Sequence, residues 1–206
     1  MTEYSTSERT RQKKDAKRTA MMNAAVRVFA QKGYHAATVR DIVRDAEVAI
    51  GTFYFYFPDK ETLFVHLYEE TADFLLQAME QAINSRADLP HQLLKGIQAY
   101  VNIALYEPAV IQLLLVGGVG AAPSLAERRL EFRERLVKMW QRPLATALSQ
   151  GIIPTQNVRR VAEGYAGAFD EMVLNLLAYP EPEREAETAV QEMALFALRA
   201  VAYAGN

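Results

Sequence analysis

The pentapeptide Phe53-Tyr54-Phe55-Tyr56-Phe57 places five aromatic residues in succession in a chain of 206 residues. Aromatic residues favour β-strands, but a lone strand in an otherwise helical chain has no partner strand. Five aromatic side chains on an isolated strand edge would also promote aggregation. A helix places Phe53 and Phe57 on one face, because residues four apart are neighbours, and it turns Tyr54 and Tyr56 away from that face. We therefore predict that this stretch is a short helix with one buried and one exposed side.

The segments that precede this helix indicate a helix-turn-helix arrangement. Thr38 is a good helix N-cap, and Asp41 resembles the acidic member of a capping box, which together predict a short helix. Further upstream, apolar residues recur at three- and four-residue spacing from Met21 to Phe29, as in a helix that ends near Gly33. Two short helices joined by a short turn and preceded by a longer helix form the helix-turn-helix motif.

Beyond residue 60 the apolar pattern predicts helices throughout, so the predicted fold is all-α with about nine helices. Half of the residues are apolar and 23% are charged, as in globular proteins. The longest apolar stretch, residues 109–122, is shorter than the ~20 residues that span a bilayer, and the polar N-terminal residues do not resemble a secretory signal. We expect a cytoplasmic protein that does not contact membranes. The absence of cysteine excludes disulfides and thiol chemistry, and the three scattered histidines predict no metal site.

Charge is unevenly distributed along the chain. Residues 1–60 hold 11 Lys and Arg against 7 Asp and Glu, a net charge of +4, whereas residues 61–206 hold 12 against 18, a net charge of −6. One interpretation is a basic N-terminal part that meets a polyanion and an acidic remainder that does not. The other interpretation is a solvated, partly disordered N-terminal arm without a partner.

Residues 38–63 resemble the DNA-binding signature of the TetR family of bacterial transcriptional regulators. The positions that carry the resemblance are Thr38, Ile42-Val43, Ala46, Val48, Gly51-Thr52-Phe53-Tyr54, Tyr56-Phe57, Asp59-Lys60-Glu61 and Leu63, together with Ala24-Ala25, Phe29 and Gly33-Tyr34 upstream. Residues 14–65 are covered strongly, whereas residues 66–206 are similar only in size and helical character. The family usually has glycine where this chain has Glu47, so we expect Glu47 to adopt a positive φ.

The resemblance implies a flexible basic arm at residues 1–13, a three-helix DNA-binding domain at 14–60, and a helical effector-binding and dimerisation domain at 61–206. On DNA, the segment from Ala49 would enter the major groove with its N-terminus first. The phosphate-contacting positions of the family correspond to Thr38, Thr52, Tyr54, Tyr56 and Lys60. The base-reading positions correspond to Arg40, Ala49, Ile50, Gly51 and Phe55. Arg40 is the best candidate for a bidentate contact to guanine.

One helix-turn-helix reads only a few base pairs, so we expect a two-fold homodimer on a palindromic operator in double-stranded DNA. The apolar faces of the last two helices are the expected interface, with the residues Val161, Tyr165, Ala168, Phe169, Met172, Val190, Met193, Phe196, Ala197 and Ala200.

The resemblance also implies that a small molecule binds the second domain and releases DNA, with repression as the family default. Bulky apolar and a few polar side chains would suit a hydrophobic effector, and the candidates are Phe74, Tyr100, Asn102, Tyr106, Phe132, Trp140, Met172 and Asn175. We predict no cofactor and no catalytic residues. The alternatives are a nucleoid-type protein that binds DNA nonspecifically and a helical enzyme that uses a buried carboxylate.

Overall fold

The computed structural model describes residues 3–83, 87–117, 120 and 123–205, with side chains from residue 15 onward. Within these ranges the chain forms nine α-helices and a short π-helical segment, and it contains no β-strand. The all-α prediction is therefore confirmed. The helices are α1 (Glu3–Ala36), α2 (Val39–Asp45), α3 (Ile50–Tyr56), α4 (Lys60–Ile83), α5 (Leu89–Tyr106), α6 (Pro108–Gln112), α7 (Pro123–Ser149), α8 (Val158–Leu177) and α9 (Pro182–Ala200), and the π-helical segment is Leu113–Gly117.

Helix α1 is longer than the sequence pattern predicts. It begins at Glu3, whereas we expected a flexible arm over residues 1–13 and a helix from about residue 14. No glycine or proline interrupts residues 3–32, and the polar run 8–18 is rich in Arg, Lys and Gln, which have high helix propensity. This run lacks an apolar stripe, so the periodic signal was missing although the propensity was present. Gly33, with φ 74°, interrupts the helical conformation close to the predicted end.

The chain divides into two compact units, which we call unit 1 and unit 2. Unit 1 comprises Met1–Glu70 and Gln112–Arg128, and unit 2 comprises Thr71–Ile111 and Arg129–Asn206. The boundary predicted near residue 60 coincides with the start of α4, and the first turns of α4 belong to unit 1.

Each helix of the helix-turn-helix region contributes an apolar stripe to the core of unit 1. The rings of Phe29 on α1 and Phe64 on α4 meet edge to face, with their centroids 4.8 Å apart. Fully or almost fully buried side chains of this core include Met21, Ala24, Ala25, Ile42, Phe53, Phe57 and Leu63. The exposed sides of α2 and α3 are thereby held in a fixed orientation.

Unit 2 has an aromatic core between α5, α7, α8 and α9. Trp140 on α7 is fully buried, and its ring meets that of Phe169 on α8 edge to face at a centroid distance of 5.1 Å. Tyr165 stacks on Phe169 at 5.3 Å, and its hydroxyl donates to the backbone oxygen of Ala197 on α9. These contacts join three helices of unit 2 around Trp140.

Helix α5 is strongly apolar. Its buried residues include Leu93, Ile97, Tyr100 and Val101, which face the core of unit 2. Among the described residues, no single helix is long and apolar enough to span a membrane. Helix α5 and the segment Pro108–Gly117 reach the necessary length and apolar composition only when they are taken together, and the two are bent by 106° relative to each other.

Candidate nucleic-acid interface and effector region

The start of α2 is fixed by the capping box that the sequence predicts. The backbone N–H of Asp41 donates to Thr38 Oγ1 at 3.2 Å, and the backbone N–H of Thr38 donates to Asp41 Oδ2 at 3.1 Å. Thr38 Oγ1 also donates to Asp41 Oδ2 at 2.8 Å. A hydrogen bond from Lys32, followed by those from Thr38, holds the pKa of Asp41 well below its usual range. The backbone N–H and the hydroxyl of Thr38 are therefore both used in hydrogen bonds that fix the start of α2, although the residue lies at the protein surface.

The turn between α2 and α3 contains a residue in the left-handed region. Glu47 has φ 54°, which confirms the expectation drawn from its place in the sequence pattern. The backbone N–H of Val48 donates to the oxygen of Val43 at 3.0 Å and closes the end of α2. A glycine at position 47 would adopt this conformation without steric strain.

Helix α3 has the two-sided character that we predict for the pentapeptide. Phe53 is fully buried and Phe57 nearly so, whereas 55% of Tyr54, 68% of Phe55 and 44% of Ile50 remain exposed. Phe55 thus presents an apolar surface to solvent, and a thymine methyl group is an apolar surface that such a side chain can contact. None of the ten predicted DNA-binding residues is buried; Thr52, Tyr56 and Lys60 are half-buried and the other seven are exposed.

Arg40 is the most available cation of this region. It is exposed on α2 and has no ion-pair partner among the described side chains. By contrast, Arg27 pairs with Asp45 at 2.6 Å, and Lys32 and Arg44 both pair with Asp41, at 2.8 and 2.7 Å. Arg40 can therefore meet a ligand without breaking an internal ion pair.

Lys60 has a structural role that the sequence analysis missed. Its ammonium donates to the backbone oxygens of Tyr34 at 2.7 Å and of Ala37 at 2.8 Å, and it lies 4.3 Å from the centroid of the Tyr34 ring. Burial lowers the pKa of Lys60. The last carbonyls of a helix lack hydrogen-bond donors within the helix. The Lys60 ammonium acts as such a donor at the end of α1. The contact of Lys60 with phosphate stays a prediction, and one ammonium hydrogen is left for it.

The predicted dimer residues fall into two groups. Five of them belong to the core of a single protomer, namely Tyr165, Phe169, Val190, Met193 and Ala197. The other five, Val161, Ala168, Met172, Phe196 and Ala200, are half-buried or exposed. On α9, 40% of Phe196 and 46% of its neighbour Leu195 are exposed. Leu195 was not predicted, although it directly precedes Phe196 and two adjacent bulky apolar residues are a recognisable signal.

The predicted effector-binding residues do not form a single cluster. Tyr100, Phe132 and Trp140 are buried in unit 2, whereas Phe74, Asn102 and Tyr106 are exposed. Met172 and Asn175 line a pocket of about 210 Å³ between α8 and α9. The spacing of apolar residues along a helix marks its buried stripe, but it does not tell which buried side chains face a cavity.

A partly buried charge cluster lies beside Tyr100 in unit 2. The Tyr100 hydroxyl donates to Asp170 Oδ1 at 2.8 Å, and Arg133 forms an ion pair with Asp170 Oδ2. Burial nevertheless raises the pKa of Asp170, and the hydrogen bond from Tyr100 and the charge of Arg133 oppose this shift. The sequence analysis gave Asp170 no role, because its partners lie on two other helices, α5 and α7, and are far away in the chain.

Comparison with known proteins agrees with these observations. Residues 21–67 match the family described as bacterial regulatory proteins, tetR family. The fatty acid metabolism regulator protein of Bacillus subtilis is 28% identical over 163 residues, which cover 74% of this chain and 79% of that protein. The uncharacterised HTH-type transcriptional regulator YfiR of the same species is 24% identical over 197 residues, which cover 91% of this chain and 93% of that protein.

Solved structures share the fold. The transcriptional regulator FadR of Bacillus subtilis in complex with stearoyl-CoA superposes with a TM-score of 0.74 at 23% identity, covering 85% of this chain and 97% of that one. A tetR-family regulatory protein from Rhodococcus RHA1 gives a TM-score of 0.77 at 22% identity, covering 92% and 98%. These proteins are transcriptional regulators rather than enzymes. The helix-turn-helix, the family match over residues 21–67 and the shared fold together support a bacterial transcriptional regulator of the TetR family.

Proposed function

We propose that this regulator is a cytoplasmic repressor that binds a palindromic operator as a homodimer and is released by a hydrophobic effector, a long-chain acyl compound. In this proposal residues 14–60 bind DNA, and residues 61–206 bind the effector and dimerise. The single observation that carries it is the exposed side of α3, where Ile50, Tyr54 and Phe55 project from a helix anchored by buried Phe53 and Phe57.

The proposed DNA contacts divide into positioning and reading. Hydroxyl groups at Thr52, Tyr54 and Tyr56 would donate to phosphate oxygens and fix the register of the protein on the duplex. The Thr38 hydroxyl, which was also predicted to contact phosphate, already donates to Asp41 Oδ2 and would position α2 instead. Arg40 would read a base in the major groove by a bidentate hydrogen bond, and Phe55 with Ile50 would contact thymine methyl groups. Gly51 supports a close approach to the bases, because it has no side chain and no side chain from elsewhere in the fold covers the position that its Cβ would take.

The homodimer is proposed on the exposed apolar side of α8 and α9. Phe196 and Leu195 are large apolar residues at the surface, and Met172 and Ala200 are also accessible there. A partner protomer with the same face would bury these side chains in a two-fold contact. Two linked DNA-binding heads would then match two half-sites on one side of the duplex, about one or two turns apart.

The effector class follows from the aromatic core of unit 2 and from two relatives. One relative is called a fatty acid metabolism regulator, and one structure of the same fold holds stearoyl-CoA. Binding would shift the population of dimers toward a state that does not fit the operator, and a coupling of ~1–3 kcal/mol would change operator affinity 5- to 150-fold.

The test begins with selection of a binding sequence from random duplex DNA, followed by fluorescence anisotropy. We expect a palindrome, a dimer by sedimentation, and a slope of log affinity against log salt of about −7 if the dimer neutralises roughly eight phosphates. Palmitoyl-CoA should weaken binding. The double variant Arg40→Ala, Phe55→Ala should lose sequence preference, and Arg184→Ala on α9 is the matched control. Equal affinity for all sequences would favour the nonspecific nucleoid-type protein.

Dimerisation is tested separately. Leu195→Arg with Phe196→Arg should yield a monomer that binds a single half-site weakly. Leu130, another exposed apolar residue of unit 2, provides the matched control Leu130→Arg, which should remain dimeric. A double variant that still sediments as a dimer would contradict the proposed interface.

A further inference from the structure

The core of unit 2 contains one side-chain polar atom without a partner. Trp140 is fully buried, and its indole Nε1 has no hydrogen-bond partner among the described residues. Buried polar atoms in folded proteins are almost always satisfied by the protein, by water or by a ligand, because an unsatisfied donor keeps the full cost of its desolvation. An acceptor atom placed at this nitrogen would remove that cost.

The neighbouring polar groups are already occupied. The Tyr165 hydroxyl donates to the backbone oxygen of Ala197, and the Tyr100 hydroxyl donates to Asp170. Within the described part of the chain, the indole N–H of Trp140 is the one buried side-chain donor left over. A tryptophan N–H can only donate, so its partner must supply a lone pair.

The charge of the core restricts the kind of acceptor. A buried carboxylate needs a cation beside it, because burial of an unpaired charge is strongly unfavourable. The guanidinium of Arg133 is the cation near this core, and it already pairs with Asp170. A single neutral N–H is suited instead to an uncharged acceptor, such as the carbonyl oxygen of an ester, amide or thioester.

A groove of about 580 Å³ lies between α4, α5 and α7, and its lining includes Met139, the residue before Trp140, but not Trp140 itself. Its apolar lining consists of Ile83, Met139 and Pro143. A Cβ atom on Gly96 would lie 2.7 Å from Ile83 Cδ1 and 3.0 Å from Trp140 Cη2, so Ile83 and the indole converge on the same point of α5. The Ile83 side chain thus lies both in the lining of the groove and beside the benzo ring of the tryptophan.

The remaining lining of the groove is polar and rich in amide groups. Arg142 Nη1 donates to Glu80 Oε1 at 3.1 Å, which neutralises the two charges. The other polar residues are Gln77, Gln81, Gln92 and Thr146. Glutamine side chains both donate and accept hydrogen bonds, so this lining suits the amide groups that a coenzyme A ester carries next to its thioester.

We propose that Trp140 donates its indole N–H to the thioester carbonyl oxygen of a long-chain acyl-CoA, whose amide-bearing arm lies in the groove and whose acyl chain enters the core past Ile83. This inference rests on the proposed function, since it takes the effector to bind unit 2. It goes further in assigning the donor and in requiring a neutral carbonyl rather than a free carboxylate.

The test compares palmitoyl-CoA with S-hexadecyl-CoA, the thioether that lacks the carbonyl oxygen, by calorimetry on the full chain. We expect the wild type to bind palmitoyl-CoA roughly 3- to 10-fold more tightly, the range of a neutral hydrogen bond. Trp140→Phe, which removes the N–H, should bind both ligands equally. Trp140 is the single tryptophan of the chain, so its fluorescence should respond differently to the two ligands in the wild type. Palmitate should bind more weakly than palmitoyl-CoA.

Equal affinities of the wild type for the thioester and the thioether would overturn the inference, and so would a preference that persists in Trp140→Phe. The comparison in the wild type needs no variant, so a folding defect of Trp140→Phe leaves the test intact. If both ligands release the operator equally well, the proposed function stands and the assignment of Trp140 fails. If neither ligand binds, the acyl effector fails and this inference with it.

Discussion

Replacement of Lys60 by methionine should destabilise the protein and also weaken DNA binding, by two separable causes. The change removes two hydrogen bonds from a charged donor to the oxygens of Tyr34 and Ala37, and the contact with the Tyr34 ring. Hydrogen bonds to charged groups contribute about 1.5–3 kcal/mol each when buried. Because Lys60 is only half-buried and the two bonds share one ammonium, we expect a total loss of roughly 2 kcal/mol.

Thermal unfolding measures the first effect. For a chain of this size a loss of 1 kcal/mol lowers the melting temperature by about 2–4 °C, so the expected decrease is roughly 4–8 °C. Lys60→Arg should recover part of it, because a guanidinium can still donate to the carbonyls. Lys95→Met is the matched control, since Lys95 lies on the exposed side of α5 and donates only to Gln98. A melting temperature of Lys60→Met equal to that of Lys95→Met would refute the structural role.

The salt dependence of operator binding measures the second effect. A phosphate contact in each of two heads contributes about 0.9 each to the slope of log affinity against log salt. Loss of both contacts should flatten the slope by about 2. An unchanged slope together with weaker affinity would mean that Lys60 acts on DNA only through the stability of the head.

Three further predictions concern the same region. Glu47→Gly should relieve the strain of a positive φ and raise the free energy of unfolding by roughly 0.5–1 kcal/mol, as measured by urea unfolding; a loss of stability would contradict the assignment of strain. Arg40→Ala should cost ~1–3 kcal/mol and relax preference at one base position, whereas Arg44→Ala should leave preference unchanged in a binding-site selection. Asp41→Asn should lower stability at neutral pH. The pKa of Asp41 is lowered in the folded protein, so its stabilising effect is present above the unfolded value near 4 and is lost as the pH falls below it. A difference between the wild type and Asp41→Asn that stays constant down to acidic pH would show that the charge of Asp41 is not the cause.

The features predicted correctly from the sequence are those set by residues close together in the chain. The capping box of Thr38 and Asp41 spans three residues, and the two-sided pentapeptide follows from the helical repeat alone. The positive φ of Glu47 was expected from one position in a motif. In each case the physical cause lies within about one turn of the residue that shows it.

The features that were missed depend on partners distant in the chain. Lys60 donates to carbonyl oxygens at the end of α1 that belong to Tyr34 and Ala37, 26 and 23 positions earlier in the chain. Asp170 on α8 interacts with Tyr100 on α5 and Arg133 on α7. The apolar stripe of α8 was recognised. The spacing of apolar residues alone, however, does not distinguish Tyr165 and Phe169, which pack inside the protomer, from Met172, which remains accessible. The polar start of α1 was missed because helix propensity without an apolar stripe leaves no periodic signal.

Glu47 also bears on how readily the proposed complex with DNA would dissociate. An exposed carboxylate in the turn that leads into α3 would repel the phosphate backbone, so the complex would be less tight than a glycine at this position would allow. If the affinity for the operator is moderate, a small decrease in affinity on effector binding is enough to bring operator occupancy below one half. The residue that strains the turn would thus set the effector concentration at which transcription resumes.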